Sequence, residues 1–242
     1  MGKLIIVPPP APALARTPLH HWHTARGARF VERDGWQVAV SYSDTAHEVA
    51  AARAGLGLAD LSAFAKISVR GGSLAQKLRE EGSSLGPHRV AALDVGTRAL
   101  ACRLTEDHWL FLALTTNAAS LHAWFDARNR ESPNSQQDVR SSYALFSLLG
   151  SSTEKALRCL TALDLNSSAF PGGSCAETSL AGVHAVLIHP PEIALGEVLI
   201  AVAWDLGEYI WEQLLEAGRS HGIAPVGLDA WQILTSAKRT GE

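Results

Sequence analysis

The sequence predicts an α+β fold with antiparallel sheets, and three observations predict it. Asp34-Gly35 separates two apolar runs, the dipeptide that closes a two-residue hairpin. Residues 98–104 and 108–114 form a second such pair across Thr105, Glu106 and Asp107, and residues 178–180 and 184–189 a third about Ala181-Gly182. Segments with helical spacing are mixed among these hairpins, the pattern of an α+β chain.

Residues 1–16 are rich in Pro and Ala and read as an extended arm, or as a docking strand for a partner. Residues 30–32 and 36–41 flank the first turn. Thr45 opens a helix, and Glu48 three residues later completes a capping box. Val49, Ala52 and Leu56 give that helix an inner face, and Gly55 or Gly57 ends it. Residues 66–70 alternate and stop at Gly71-Gly72, a strand and a turn. Residues 73–81 form a short amphipathic helix. After the second hairpin come a helix over 117–130 and a polar loop over 131–137. Residues 143–149 read as a buried strand. Ser151 or Ser152 caps a helix over 153–163, with Leu157, Leu160 and Leu163 on one face. Residues 170–173 form a loop before the third hairpin, which Pro190-Pro191 must end. A strand over 198–204, a helix over 205–218, a turn over 221–227 and a helix from Leu228 complete the chain.

Composition narrows the function. A hydrophobic fraction of 47% over 242 residues is enough to bury a large core. The net charge of −3 is spread without a basic stripe, so no nucleic-acid footprint is present. No apolar run approaches the roughly 20 residues that cross a bilayer, and the short N-terminal run is interrupted by Pro8-Pro9-Pro10, so a cytoplasmic location and no membrane partner are expected. Cys102, Cys159 and Cys175 are widely spaced and outline neither a disulfide framework nor a metal motif, and none has a neighbouring base that would make it a nucleophile. His20, His21 and His23 invite a metal reading, but no carboxylate or cysteine nearby completes a site, and packing and surface roles are expected instead. Gly71-Gly72 and Gly172-Gly173 lack the lysine and the context of a phosphate loop.

Several blocks, in order, carry a resemblance. They are Thr17-Pro18-Leu19, Trp22-His23, Gly27-Ala28, Asp60-Leu61-Ser62, the run Ser62 to Ile67, Leu145 to Gly150, Trp211 to Gly218, and Gly222 to Leu228. Together they resemble the glycine-cleavage T protein, the folate-dependent aminomethyltransferase, over residues 17–235. The resemblance implies two interleaved subdomains around a central folate-type cavity, the first formed by 17–57 and 131–242 and the second, inserted, by 58–130. That family adds a C-terminal β-barrel for which these 242 residues have no room, so one wall of the site is expected to be missing or supplied by another polypeptide.

The motifs that carry the family's chemistry differ here. Its paired aspartates would fall at Thr97-Arg98, and neither residue can serve as an acid or base toward a folate nitrogen. Asp94 is the remaining catalytic candidate, with turn capping before Gly96 as the competing role. The family's pterin-gripping glutamate falls near Glu192 and Glu197, either of which could accept from an amino-pyrimidine edge. Phe64 stands where a methionine lines the pterin pocket, and Trp231 stands where an arginine is usual. Phe64, Arg98, Glu192, Glu197 and Trp231 are thus the folate-contacting candidates, with tetrahydrofolate the implied cofactor. Phe64, Trp204 and Trp231 could instead fill the hole.

The functional expectation is a tetrahydrofolate-binding, aminomethyltransferase-like protein of one-carbon metabolism that works with a partner subunit. The alternative is a scaffold or assembly factor of the same fold that no longer binds folate. The lysine-glycine-cysteine-tyrosine run of the related iron–sulfur maintenance group is absent. Active transfer would require Asp94 or Glu192 to act as the carboxylate.

Overall fold

The computed structural model describes residues 13–81, 84–129, 135–191 and 195–236. The fold is α+β as expected, and its sheets are mostly antiparallel, with two parallel pairs. Strand β1 (Ala15–Arg16) precedes helix α1 (His20–Ala25) and the hairpin β2 (Arg29–Arg33) and β3 (Trp36–Ser41). Asp34 and Gly35 both take positive φ, 49° and 79°, which the tight hairpin turn requires. β1, at the end of the stretch expected to be an arm, pairs in parallel with β3 and makes a three-stranded sheet.

Helix α2 (Thr45–Ala54) is capped one residue earlier than expected. The Asp44 carboxylate accepts from the amides of Ala46 and His47 at 3.0 and 3.2 Å. Glu48 is therefore released from the capping box. It is buried, and its carboxylate accepts from the amides of Tyr42 (2.6 Å), Ser43 (2.8 Å) and Gly227 (2.7 Å).

The remaining elements are β4 (Leu56–Asp60), β5 (Lys66–Arg70), α3 (Ser73–Glu80), β6 (Arg89–Asp94), β7 (Arg98–Arg103), β8 (His108–Ala113), α4 (Ala119–Asn129), β9 (Ser135–Asp138), β10 (Tyr143–Leu149), α5 (Thr153–Arg158), β11 (Ser174–Leu180), β12 (Val183–His189), β13 (Val198–Ala203), α6 (Gly207–Gly218), β14 (Ile223–Pro225) and α7 (Leu228–Ser236). Eleven of the strands form one sheet in the order β14-β4-β10-β13-β12-β11-β6-β7-β8-β5-β9. All its pairs are antiparallel except β14 with β4. Its two halves meet at the single register pair Ser174 and Arg89 between β11 and β6. The boundary drawn at residue 58 falls inside β4.

Several elements depart from the sequence reading. β4 is buried on both faces, so it carries no alternation, and it was hidden behind the end of α2. β6 is Ala-rich and weak in strand propensity. β9 occupies part of the stretch expected to be a polar loop; its Ser-Gln-Gln-Asp sequence becomes a strand only by pairing with β5 at the sheet edge. α5 ends at Arg158 rather than 163, because the carbonyl of Leu160 turns to accept from the amide of Ala181 at 2.7 Å. Ser152 sits at the N-cap of α5 without a side-chain bond, and the Thr153 hydroxyl donates to the Gly150 carbonyl instead.

The core lies in three clusters. The central one packs β3, α2 and α7 against the faces of β7, β8, β10, β12 and β13, and includes Phe64 and Trp231. α7 approaches β3 so closely that a Cβ on Gly227 would lie 2.1 Å from the Val40 carbonyl oxygen. No helix among the described residues is long and apolar enough to cross a membrane.

Candidate functional site

The turn between β4 and β5 holds Phe64, and four hydrogen bonds, three of them buried, hold the turn. Asp60 Oδ1 accepts from the Ser62 amide at 2.9 Å, and Ser62 Oγ accepts from the Leu145 amide at 3.1 Å. The Lys66 Nζ, wholly buried, donates to the carbonyls of Ser62 (2.7 Å) and Phe64 (3.0 Å). Burial pulls the Lys66 amine down to a pKa of about 7, an effect that the nearby Asp60 charge opposes.

Behind this turn lies a buried polar relay. Asp60 Oδ2 is 2.9 Å from His23 Nε2, and His23 Nδ1 is 2.7 Å from the Tyr42 hydroxyl. Burial raises the Asp60 carboxyl, but hydrogen bonds from His23 and Ser62 outweigh it and leave its pKa below the ordinary carboxylate value. An ionised Asp60 takes a hydrogen from His23 Nε2. The Tyr42 phenol is pushed well above its usual value by burial and by the Asp60 charge. This relay uses His23 as a core residue. His20 packs on Phe30, with ring centroids 4.8 Å apart.

Three of the expected site residues come together. Glu197, immediately before β13, is 1% exposed. Its Oε1 accepts from Ser147 Oγ of β10 at 2.6 Å and from Trp231 Nε1 of α7 at 2.9 Å. The same indole N–H lies 3.0 Å from Ser147 Oγ, which closes a triangle of polar atoms. Burial raises the Glu197 pKa, countered by these two bonds and by the charge of Arg98. The Trp231 ring meets Phe64 edge to face, with centroids 5.4 Å apart and planes at 69°. Trp204 is not part of this group; it packs on Trp36 at 6.0 Å.

The other expected residues lie apart. Arg98 is exposed at the start of β7 and reaches Glu197 only through its charge. Asp94 is exposed at the other end of the same turn and accepts from the Gly96 amide at 3.2 Å, the turn-capping arrangement. Glu192 lies outside the described residues.

Next to the triangle is a cleft of about 270 Å³ lined by Arg33, Asp34, Phe64, Thr115, Thr116, Leu228 and Gln232. Phe64 belongs to both groups, facing the cleft and touching Trp231. Asp34 accepts from the Thr116 hydroxyl across the cleft wall. Apart from Phe64, sequence reasoning missed these lining residues, and it missed Ser147. Ser147 carries a signal: it is a serine set among the apolar residues 144–149 of β10, and a buried hydroxyl must find a partner.

Comparison with known proteins adds the following. A family model described as the GCVT N-terminal domain matches residues 19–239. The aminomethyltransferase of Desulfitobacterium hafniense (strain DSM 10664 / DCB-2) is 28% identical over 243 residues, covering 91% of this chain and 63% of that protein. The chain thus spans less than two thirds of the length of such relatives. The crystal structure of glycine cleavage system aminomethyltransferase T from Bartonella henselae superposes with a TM-score of 0.75 at 21% identity, over 91% of this chain and 62% of that one. One chain of the heterotetrameric sarcosine oxidase from Corynebacterium sp. U-96, in complex with pyrrole 2-carboxylate, superposes with a TM-score of 0.61 at 19% identity, over 88% of this chain and 98% of that one.

Proposed function

Because the chain belongs to the GCVT N-terminal domain family, we propose that it is a folate-site protein of one-carbon metabolism. It takes the ring system of tetrahydrofolate against Phe64 and works beside a partner subunit in the cytoplasm. The observation that carries this reading is the buried carboxylate Glu197, bonded to the Trp231 indole, whose ring packs on Phe64, a residue that also lines a cleft. A reduced folate supplies the nitrogen that carries the one-carbon unit. The protein's own part is to hold the flat ring and exclude water around it.

The fit of the residues to that ligand is partial. Phe64 offers a flat apolar face, and the cleft is bordered by polar groups from Asp34, Thr116 and Gln232. At about 270 Å³ it lies just under the range of roughly 300–1,000 Å³ usual for small-molecule sites, so it suits a ring system rather than a whole folate. A two-point clasp on Glu197 does not fit while Oε1 already accepts two bonds, since one oxygen has about two acceptor positions. Of the carboxylates nearest the family's motif, Asp94 caps an exposed turn, and the Asp34 carboxylate on the cleft wall is engaged by the Thr116 hydroxyl. The proposal is therefore binding and presentation, with the chemistry completed by a partner. The sarcosine oxidase that this chain resembles is a heterotetramer, and this chain matches nearly the whole length of one of its subunits.

A second reading is a scaffold of the same fold that has given up folate. The observation favouring it is the same triangle, in which Glu197 is satisfied without any ligand. Calorimetric titration of the purified chain with tetrahydrofolate separates the two. Saturable heat, with a rise in thermal midpoint that grows with ligand concentration, is expected for the folate-site reading. No heat and no shift would reject it in favour of the scaffold.

A further inference from the structure

We infer that Trp231 is a resident plug whose indole N–H takes the acceptor that a flat, N–H-bearing heterocycle would use. The inference rests on the folate-site reading for the identity of that heterocycle, but its geometric basis is independent. Three buried polar atoms, Trp231 Nε1, Ser147 Oγ and Glu197 Oε1, lie within 2.6 to 3.0 Å of one another. Among the described residues both hydrogen bonds to the carboxylate fall on Oε1. A ligand presenting two adjacent N–H donors needs both oxygens of a carboxylate, one per donor. The indole therefore blocks that contact chemically as well as by volume.

The position of the ring gives the block a direction. Trp231 lies between Leu228 and Gln232 in sequence on α7, and both of those residues line the cleft. Phe64 faces the cleft on one side and the Trp231 ring on the other. Truncating Trp231 would leave a ring-sized space beside Glu197, bordered by the residue that already faces the cleft. The ligand class that the opened site accepts is a 2-amino-4-oxopyrimidine edge on a flat ring system, which places two parallel N–H donors opposite a carboxylate. Trp231 is thus a specificity-determining residue: with it in place, Glu197 is a structural acceptor, and without it, Glu197 is a ligand acceptor.

The test is calorimetric titration of the full chain with folinic acid, for wild type, Trp231→Ala, Trp231→Leu, and Trp231→Ala combined with Glu197→Gln, each first shown to unfold cooperatively. Trp231→Leu removes the N–H and the indole's second ring while leaving an apolar side chain in the core, and stands in if the alanine variant does not fold. The expected result is binding at least about tenfold tighter in the Trp231 variants than in wild type, with the gain lost on adding Glu197→Gln. If the folded variants bind no tighter than wild type, the plug is overturned, and wild-type binding then leaves the folate-site reading intact. If wild type does not bind and the variants do, the plug stands and the folate-site reading of the native protein falls. If none binds, both fall.

Discussion

Lys66 and Glu197 illustrate how much of this protein's character sits in single buried charges. Lys66 is wholly buried, and its amine has a pKa of about 7 against an ordinary value of 10.5. Between these two values the unfolded chain binds a proton that the folded chain does not, so stability rises with pH through that window. The difference in unfolding free energy between wild type and Lys66→Met, followed by urea melts from pH 7 to pH 9, is expected to grow by up to about 1.4 kcal/mol per pH unit. A flat difference would mean that the amine stays charged in the fold. Ser147→Ala removes a hydroxyl that serves both Glu197 and Trp231, and is expected to lower stability by about 1–3 kcal/mol in the same assay. Phe64, Glu197 and Trp231 were singled out in the sequence by their motif positions, and the structure brings the three together. Ser147 was legible only as a polar residue out of place in β10. The lining from Thr115 and Thr116 had no signal, because nothing local says that the end of β8 comes to face the first hairpin.

At the scale of elements, the hairpins were readable and the Ala-rich, Gly-containing and polar strands were not. Asp34-Gly35 and Ala181-Gly182 name their turns through local backbone chemistry, and all four residues take the positive φ such turns need. β4, β6 and β9 exist because of the strands beside them, and such tertiary pairing leaves no period in the sequence. Glu48 shows the same limit in a helix. It was readable as a capping residue, but its work is to tie the end of β3 and the residue before α7 to the first turn of α2. Glu48→Ala strands three backbone amides and is expected to lower stability by at least about 3 kcal/mol in a denaturant melt. Gly227→Ala would drive a Cβ into the Val40 carbonyl, and since both neighbours are backbone, neither can rotate away. An expected loss of about 3 kcal/mol corresponds to a thermal midpoint roughly 10 °C lower. A midpoint within a degree or two of wild type would show that α7 can shift away from β3.

For the whole molecule, the eleven-stranded sheet brings the β4–β5 turn, the start of β13 and α7 to one place, and the candidate site is where they meet. Within that sheet β4 pairs with β10 and β14, and β9 pairs with β5. At the site the buried Glu197 carboxylate bonds to the Trp231 indole, and that ring packs on Phe64. The central claim is that this interior position is still shaped for a pterin-like ring, with an indole now seated at it. The most direct measurement is a crystal structure of the full chain soaked with folinic acid. The account predicts density for the ring system against Phe64 in the cleft, with the Trp231 indole still bonded to Glu197. No ring density at Phe64 at saturating ligand, or a ring bonded directly to Glu197 with the indole displaced, would contradict it.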